Sequence, residues 1–145
     1  MSADGLSDED IRAILERVRT FAVIGASAKP LRPSYGVMQF LIGQGYGVHP
    51  VNPGHAGKLI LGQTVYGALA DVPPPVDVVD VFRNPEAALQ AVRDAVAEKD
   101  RLGATIVWMQ LGVINEQAAA EAKAAGLTVV MDRCPKIEFS RLVGR

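Results

Sequence analysis

Apolar positions along this chain recur with two different periods, and the alternation between them predicts the fold class. In "SDEDIRAILERVR", Ile11, Ile14, Leu15 and Val18 recur at helical spacing, and Ser7 with Asp10 three residues on has the arrangement of a capping box. An N-terminal amphipathic helix is therefore expected. "FAVIG" is a short continuous apolar run ended by glycine, the signature of a strand buried on both faces, and it is expected to be the central strand. Ser34 is then expected to cap a helix whose stripe is Val37, Met38, Leu41 and Ile42, with Gly43 and Gly45 at its end.

A strand "YGVHPV" follows, and the proline- and glycine-rich stretch from Asn52 to Pro75 reads as a long decorated connection carrying "KLILGQTVYG" and a helical turn near "ALADV". The second half is more regular. "DVVDVF", "TIVWMQLG" and "LTVVMD" read as strands. Between them, Asn84 caps "PEAALQAVRDAVAEKD" with Pro85 at the first helical position, and Asn115 caps "EQAAAEAKAAG", ended by Gly126. Strands alternating with crossover helices predict a doubly wound, mostly parallel α/β sheet of five strands with helices on both faces. Residues 1–20 are expected to form an N-terminal helix packed on a domain of residues 21–145, one structural domain in all.

Composition narrows the function classes. With 49% hydrophobic residues, 21% charged residues and a net charge of -1, the sequence is that of a soluble globular protein, without the basic footprint of a nucleic-acid binder. No apolar run reaches the length of a membrane span, so a cytoplasmic location with no membrane partner is expected. The single cysteine, Cys134, forms no internal disulfide and offers no zinc ligand set.

In a doubly wound sheet, ligands bind outside the carboxyl ends of the strands, so the residues just after each strand carry the functional reading. After the first strand, Gly25 permits a tight turn, small Ala26 and Ser27 allow close approach of a ligand, and a helix start near Ser34 directs its positive end into the same space. Lys29, Arg32 and Arg83 add cations, which points to phosphates. A dinucleotide fingerprint is nevertheless broken: its three glycine positions read Gly25, Ser27 and Pro30, and "PVNP" after the second strand supplies no acid for a ribose. Ordinary NAD binding is disfavoured, while NADP binding stays open.

The segments "VIGAS" with "RPSY", "GYGVHPVNP", "ILGQTVY", "PVDVVDVFR", "VWMQLGV" and "GLTVVMDRCPKIE" follow one another in fixed order. From about Phe21 to Leu142 the chain resembles the small stand-alone CoA-binding proteins, relatives of the nucleotide-binding domain of the succinyl-CoA synthetase α subunit. The resemblance implies a Rossmann-like domain holding coenzyme A or an acyl-CoA. It implies Gly25, Ala26, Ser27 and Lys29 as the phosphate loop and Arg32 as a charge partner. Val51, Asn52 and Pro53 would form one wall near the nucleotide, Phe82 and Arg83 the other, and Trp108, Gln110 and Gly112 would neighbour the pantetheine arm, with a core role for Trp108 the competing reading. A homo-oligomer or an acyl-CoA enzyme as partner is compatible with it.

No acid–base pair emerges from the sequence. His49 lies inside a strand, His55 in a glycine-rich loop, and Asp77 and Asp80, three apart in a strand, face opposite sides. A binding module acting as carrier, sensor or accessory is expected, with no catalytic residue. The alternative is a redox role for Cys134, which lies between Arg133 and Lys136 near a helix start at Pro135, with CoA disulfide as its partner.

Overall fold

The computed structural model describes residues 2–144. Helix α1 (Asp8–Arg17) begins with the expected capping box: the Ser7 hydroxyl accepts from the Asp10 amide, and the Asp10 carboxylate accepts from the Ser7 amide. Strand β1 (Thr20–Ile24) leads into α2 (Pro33–Gly43), β2 (Gly47–Val51) and a small antiparallel hairpin of β3 (Leu59–Ile60) and β4 (Gln63–Thr64). The chain continues through β5 (Val78–Val81), α3 (Pro85–Leu102), β6 (Ile106–Met109), α4 (Glu116–Ala124), β7 (Thr128–Val130) and α5 (Pro135–Leu142). Asn84 and Asn115 cap α3 and α4, their side chains accepting from the Ala87 and Ala118 amides in the first turn of each helix.

The five main strands form one parallel sheet in the order β2-β1-β5-β6-β7. The central strand is therefore β5, not the "FAVIG" strand, which sits one place nearer the edge. The misplacement has a simple cause: β1 and β5 are both buried on both faces, and burial alone does not rank them. Side chains alternate between two cores. Phe21, Val23, Val78 and Trp108 join α1, α2 and α5 on one face, while Ala22, Ile24, Val79, Val81 and Met109 join α3 and α4 on the other.

One expected cap differs. Helix α2 starts at Pro33 with Arg32 at the N-cap position and no side-chain cap, whereas Ser34 lies inside the first turn, buried, with its hydroxyl accepting from the Ser27 amide at 3.0 Å. Proline at the first helical position costs no hydrogen bond, which moves the start two residues earlier. The hairpin does not extend the main sheet by a full strand; it joins the β2 edge through a bridge between Val51 and Tyr66.

Candidate functional site

The strand order reverses between β1 and β5, since β1 leads outward to β2 while the rest of the sheet grows the other way. At that reversal two crossovers leave in opposite directions and open a crevice at the carboxyl ends of the strands. A cleft of about 930 Å³ lies there, lined from the β1 loop by Gly25, Ala26, Ser27, Lys29 and Arg32, from α2 by Ser34 and Val37, and from the β2 end by Asn52 and Pro53. Phe82 and Arg83 after β5, Gln110, Leu111 and Val113 after β6, and Cys134 and Ile137 at α5 complete it.

Gly25 is fixed by the backbone. Its φ is +87°, and a Cβ there would lie 2.1 Å from the Phe82 carbonyl oxygen, so the loop passes β5 at a distance only glycine allows. The Gly25 and Ala26 amides both donate to the Val51 carbonyl, at 3.1 and 3.3 Å, and the Asn52 side-chain amide donates to the Ala26 carbonyl at 2.7 Å. The Ser27 hydroxyl in turn accepts from the Lys29 amide at 3.1 Å. The loop's own amides at 25, 26, 27 and 29 are thus engaged within the fold. What faces the cleft is the uncapped first turn of α2, which has no acidic residue, together with Lys29, Arg32 and Arg83. All three cations are exposed and none forms an ion pair with a described residue.

Ten of the sequence-nominated residues meet in this cleft: Gly25, Ala26, Ser27, Lys29, Arg32, Asn52, Pro53, Phe82, Arg83 and Gln110. Two do not. Val51 is buried and contributes its backbone carbonyl beneath the loop, and Trp108 is fully buried in the core with its indole N–H donating to the Arg133 carbonyl at 2.9 Å. In a parallel strand, alternate residues face opposite sides, and position 108 falls on the α2/α5 face below the cleft floor. Gly112 also lies outside the lining; its amide donates to the Asp132 carboxylate at 2.7 Å and ties the β6 and β7 loops together.

Leu111, Val113, Ile137, Val37 and Ser34 line the cleft without having been nominated from sequence. Leu111 and Val113 follow a strand and obey the same positional rule as Gln110, so that signal was present; Ile137 faces the cleft only because α5 starts beside β6, which no local pattern reveals. Cys134 lines the cleft, half-buried, at the N-cap of α5. The two cations expected beside its thiol are engaged elsewhere: the Arg133 guanidinium bonds Asp4 at 2.8 Å and Glu138 at 2.6 Å, and Lys136 lies over the Phe40 ring. His49 stands outside the cleft on β2, half-buried against the Tyr66 ring, and burial holds its pKa below the ordinary value.

Beneath the floor lies an acid to which sequence spacing gave no role. Asp80, in the middle of β5, is fully buried; one carboxyl oxygen accepts from the Gln110 side-chain amide and the other has no hydrogen-bond partner among the described residues. Burial, only partly offset by the Gln110 hydrogen bond, pushes its pKa up to about 8. Asp80 anchors one side of the Gln110 amide, and Gln110 itself lines the cleft above.

The fold and the site define a Rossmann-like α/β protein with a cationic cleft at the strand-order reversal. The family follows from comparison: the chain belongs to the CoA binding domain family, whose model matches residues 19–140. It is 37% identical over 131 residues to the uncharacterized Bacillus subtilis (strain 168) protein YneT, spanning 90% of this chain and 93% of that one. A solved hypothetical protein of Pyrococcus horikoshii OT3 is 41% identical and superposes with a TM-score of 0.89, covering 97% of this chain and 95% of the other. A dinucleotide-forming acetyl-coenzyme A synthetase of Ca. Korarchaeum cryptofilum is 25% identical with a TM-score of 0.65; the match covers 78% of this chain and 25% of the synthetase.

Proposed function

We propose that this protein binds coenzyme A or its acyl thioesters in the cleft at the β1/β5 reversal, as a binding module with a carrier, sensor or accessory role. The observation that carries the reading is the convergence of Lys29, Arg32 and Arg83, without ion-pair partners among the described residues, on the uncapped start of α2. A pyrophosphate together with a 3′-phosphate is a ligand of matching charge, and charge-assisted contacts to phosphate are roughly twice as strong as neutral ones. Membership of the CoA binding domain family and likeness to part of an acetyl-coenzyme A synthetase support the same ligand. Phe82, half-buried in the cleft wall beside Arg83, offers a ring face to an adenine.

A ligand that binds only the folded state raises its unfolding temperature by mass action. Thermal unfolding in the presence of CoA, dephospho-CoA and NAD at equal concentrations tests the reading. CoA is expected to give the largest upward shift, dephospho-CoA a smaller one and NAD almost none; equal shifts for NAD and CoA would contradict it.

A further inference from the structure

Polarity is partitioned along the cleft. The lining cations all come from the β1 and β5 loops, whereas the lining residues after β6 and at α5 are uncharged: Gln110, Leu111, Val113, Cys134 and Ile137. Leu111 is 62% exposed and Ile137 52% exposed, and Ile114, next in sequence to Val113 but outside the lining, is 45% exposed. Apart from Leu59 in the hairpin and Leu31 in the β1 loop, these three are the exposed large apolar side chains among the described residues. Exposed apolar groups gathered at the mouth of one cavity mark a surface that an apolar ligand covers.

The sheet supplies a ruler. From β1, where the cations begin, to β7 there are three strand spacings of about 4.8 Å, or about 14 Å. The pantetheine arm has twelve bonds between its phosphate oxygen and its sulfur, the same as four residues of extended chain, which reach about 14 Å. A CoA whose phosphates sit at the β1/β5 cations can therefore reach the β6–β7 end with its sulfur. Gln110, after β6, lines the cleft between the cations and that end, with its side-chain amide anchored by the buried Asp80.

We propose that the β6–β7 end of the cleft is an acyl subsite, so that the ligand class of this protein is a CoA thioester bearing a hydrocarbon acyl group in preference to free CoA. This rests on the CoA reading above. A charged acyl group, such as a dicarboxylic one, would meet no lining cation at that end, while a linear alkyl chain would cover Leu111, Val113 and Ile137 and the half-buried Cys134.

Calorimetric titrations with adenosine 3′,5′-bisphosphate, CoA, butyryl-CoA and octanoyl-CoA test it. Each methylene fully removed from water strengthens binding about fourfold, so partial cover of the longer chain is expected to make octanoyl-CoA at least roughly tenfold tighter than CoA, with butyryl-CoA between. In the double variant Leu111→Ser, Ile137→Ser the series is expected to flatten while affinity for adenosine 3′,5′-bisphosphate stays unchanged. If octanoyl-CoA binds wild-type protein no tighter than CoA, the acyl subsite is overturned and CoA binding stands. If the double variant weakens the bisphosphate as much as octanoyl-CoA, those side chains act through the fold and the assignment fails. If neither the bisphosphate nor CoA binds, the CoA reading itself falls.

Discussion

Gly25 lets the β1 loop pass close against the end of β5 by having no side chain. Its left-handed φ and the Phe82 carbonyl oxygen, which would stand 2.1 Å from a Cβ at this position, act together, so Gly25→Ala incurs backbone strain and a clash with main chain that has no freedom to retreat. The variant is expected to lose at least about 2 kcal/mol of stability, measured by urea unfolding. Arg83 makes the opposite kind of contribution. Exposed and with no ion-pair partner among the described residues, it gives the fold little, so Arg83→Ala is expected to leave the unfolding midpoint nearly unchanged and to weaken CoA binding roughly tenfold, about the worth of one hydrogen bond to a charged group. Calorimetry reads the second effect, and an unchanged dissociation constant would remove Arg83 from the site.

Asp80 adds a signature in pH. Its folded pKa is about 8 against an ordinary value near 3.8, so the folded state retains a proton that the unfolded chain releases. Its stabilising contribution is full below about pH 4 and is lost as pH rises through about 8. Asp80→Asn is expected to remove that slope, giving a stability profile flatter than wild type between those limits by urea unfolding. At this scale the sequence disclosed roles better than reasons. Gly25 was legible as a turn residue, but the neighbour that forbids a side chain lies 57 residues away in sequence, and Asp80 looked like one of two unpaired acids until the sheet enclosed it.

Among the elements, α5 is the one whose placement matters most to the cleft, and it is held from the N-terminal segment. The Asp4 side chain is fully buried; burial would push its carboxyl up, but hydrogen bonds from Arg133 and from the Met131 and Leu6 amides hold it at about 2. Arg133 also binds Glu138, one turn into α5. Removing one member of a buried pair leaves the other charge uncompensated, so Arg133→Met is expected to cost about 3 kcal/mol or more in urea unfolding. Asp8→Ala, which breaks the exposed pair with Arg141, is expected to leave the midpoint almost where it was. The helices themselves were readable from Ser7, Asn84, Asn115 and the apolar stripes, because caps and periodicity are local. The start of α2 was misplaced by two residues because Ser34 reads as a cap while Pro33 suits a first helical position, and only the Ser27 amide, brought close by the loop, decides which role the serine takes.

At the scale of the molecule, a chain of net charge -1 brings three cations to the β1 and β5 loops of one cleft, while the lining after β6 and at α5 is uncharged. The parallel α/β class followed from alternating strand and helix patterns, and the position of the cleft followed from the rule that ligands sit beyond the strand ends. Strand order did not follow, because the pairing of β1 with β5 joins segments far apart in sequence, and with it went the apolar end of the cleft built by α5. The cationic end also predicts screening: CoA affinity is expected to fall as salt is raised from low to physiological ionic strength, more steeply in wild type than in Arg83→Ala. The central claim is tested most directly by calorimetric titration of the wild-type protein with CoA and with NADP under the same conditions. The account predicts one CoA bound per chain and NADP at least roughly tenfold weaker. Tight binding of NADP with no heat from CoA would contradict it.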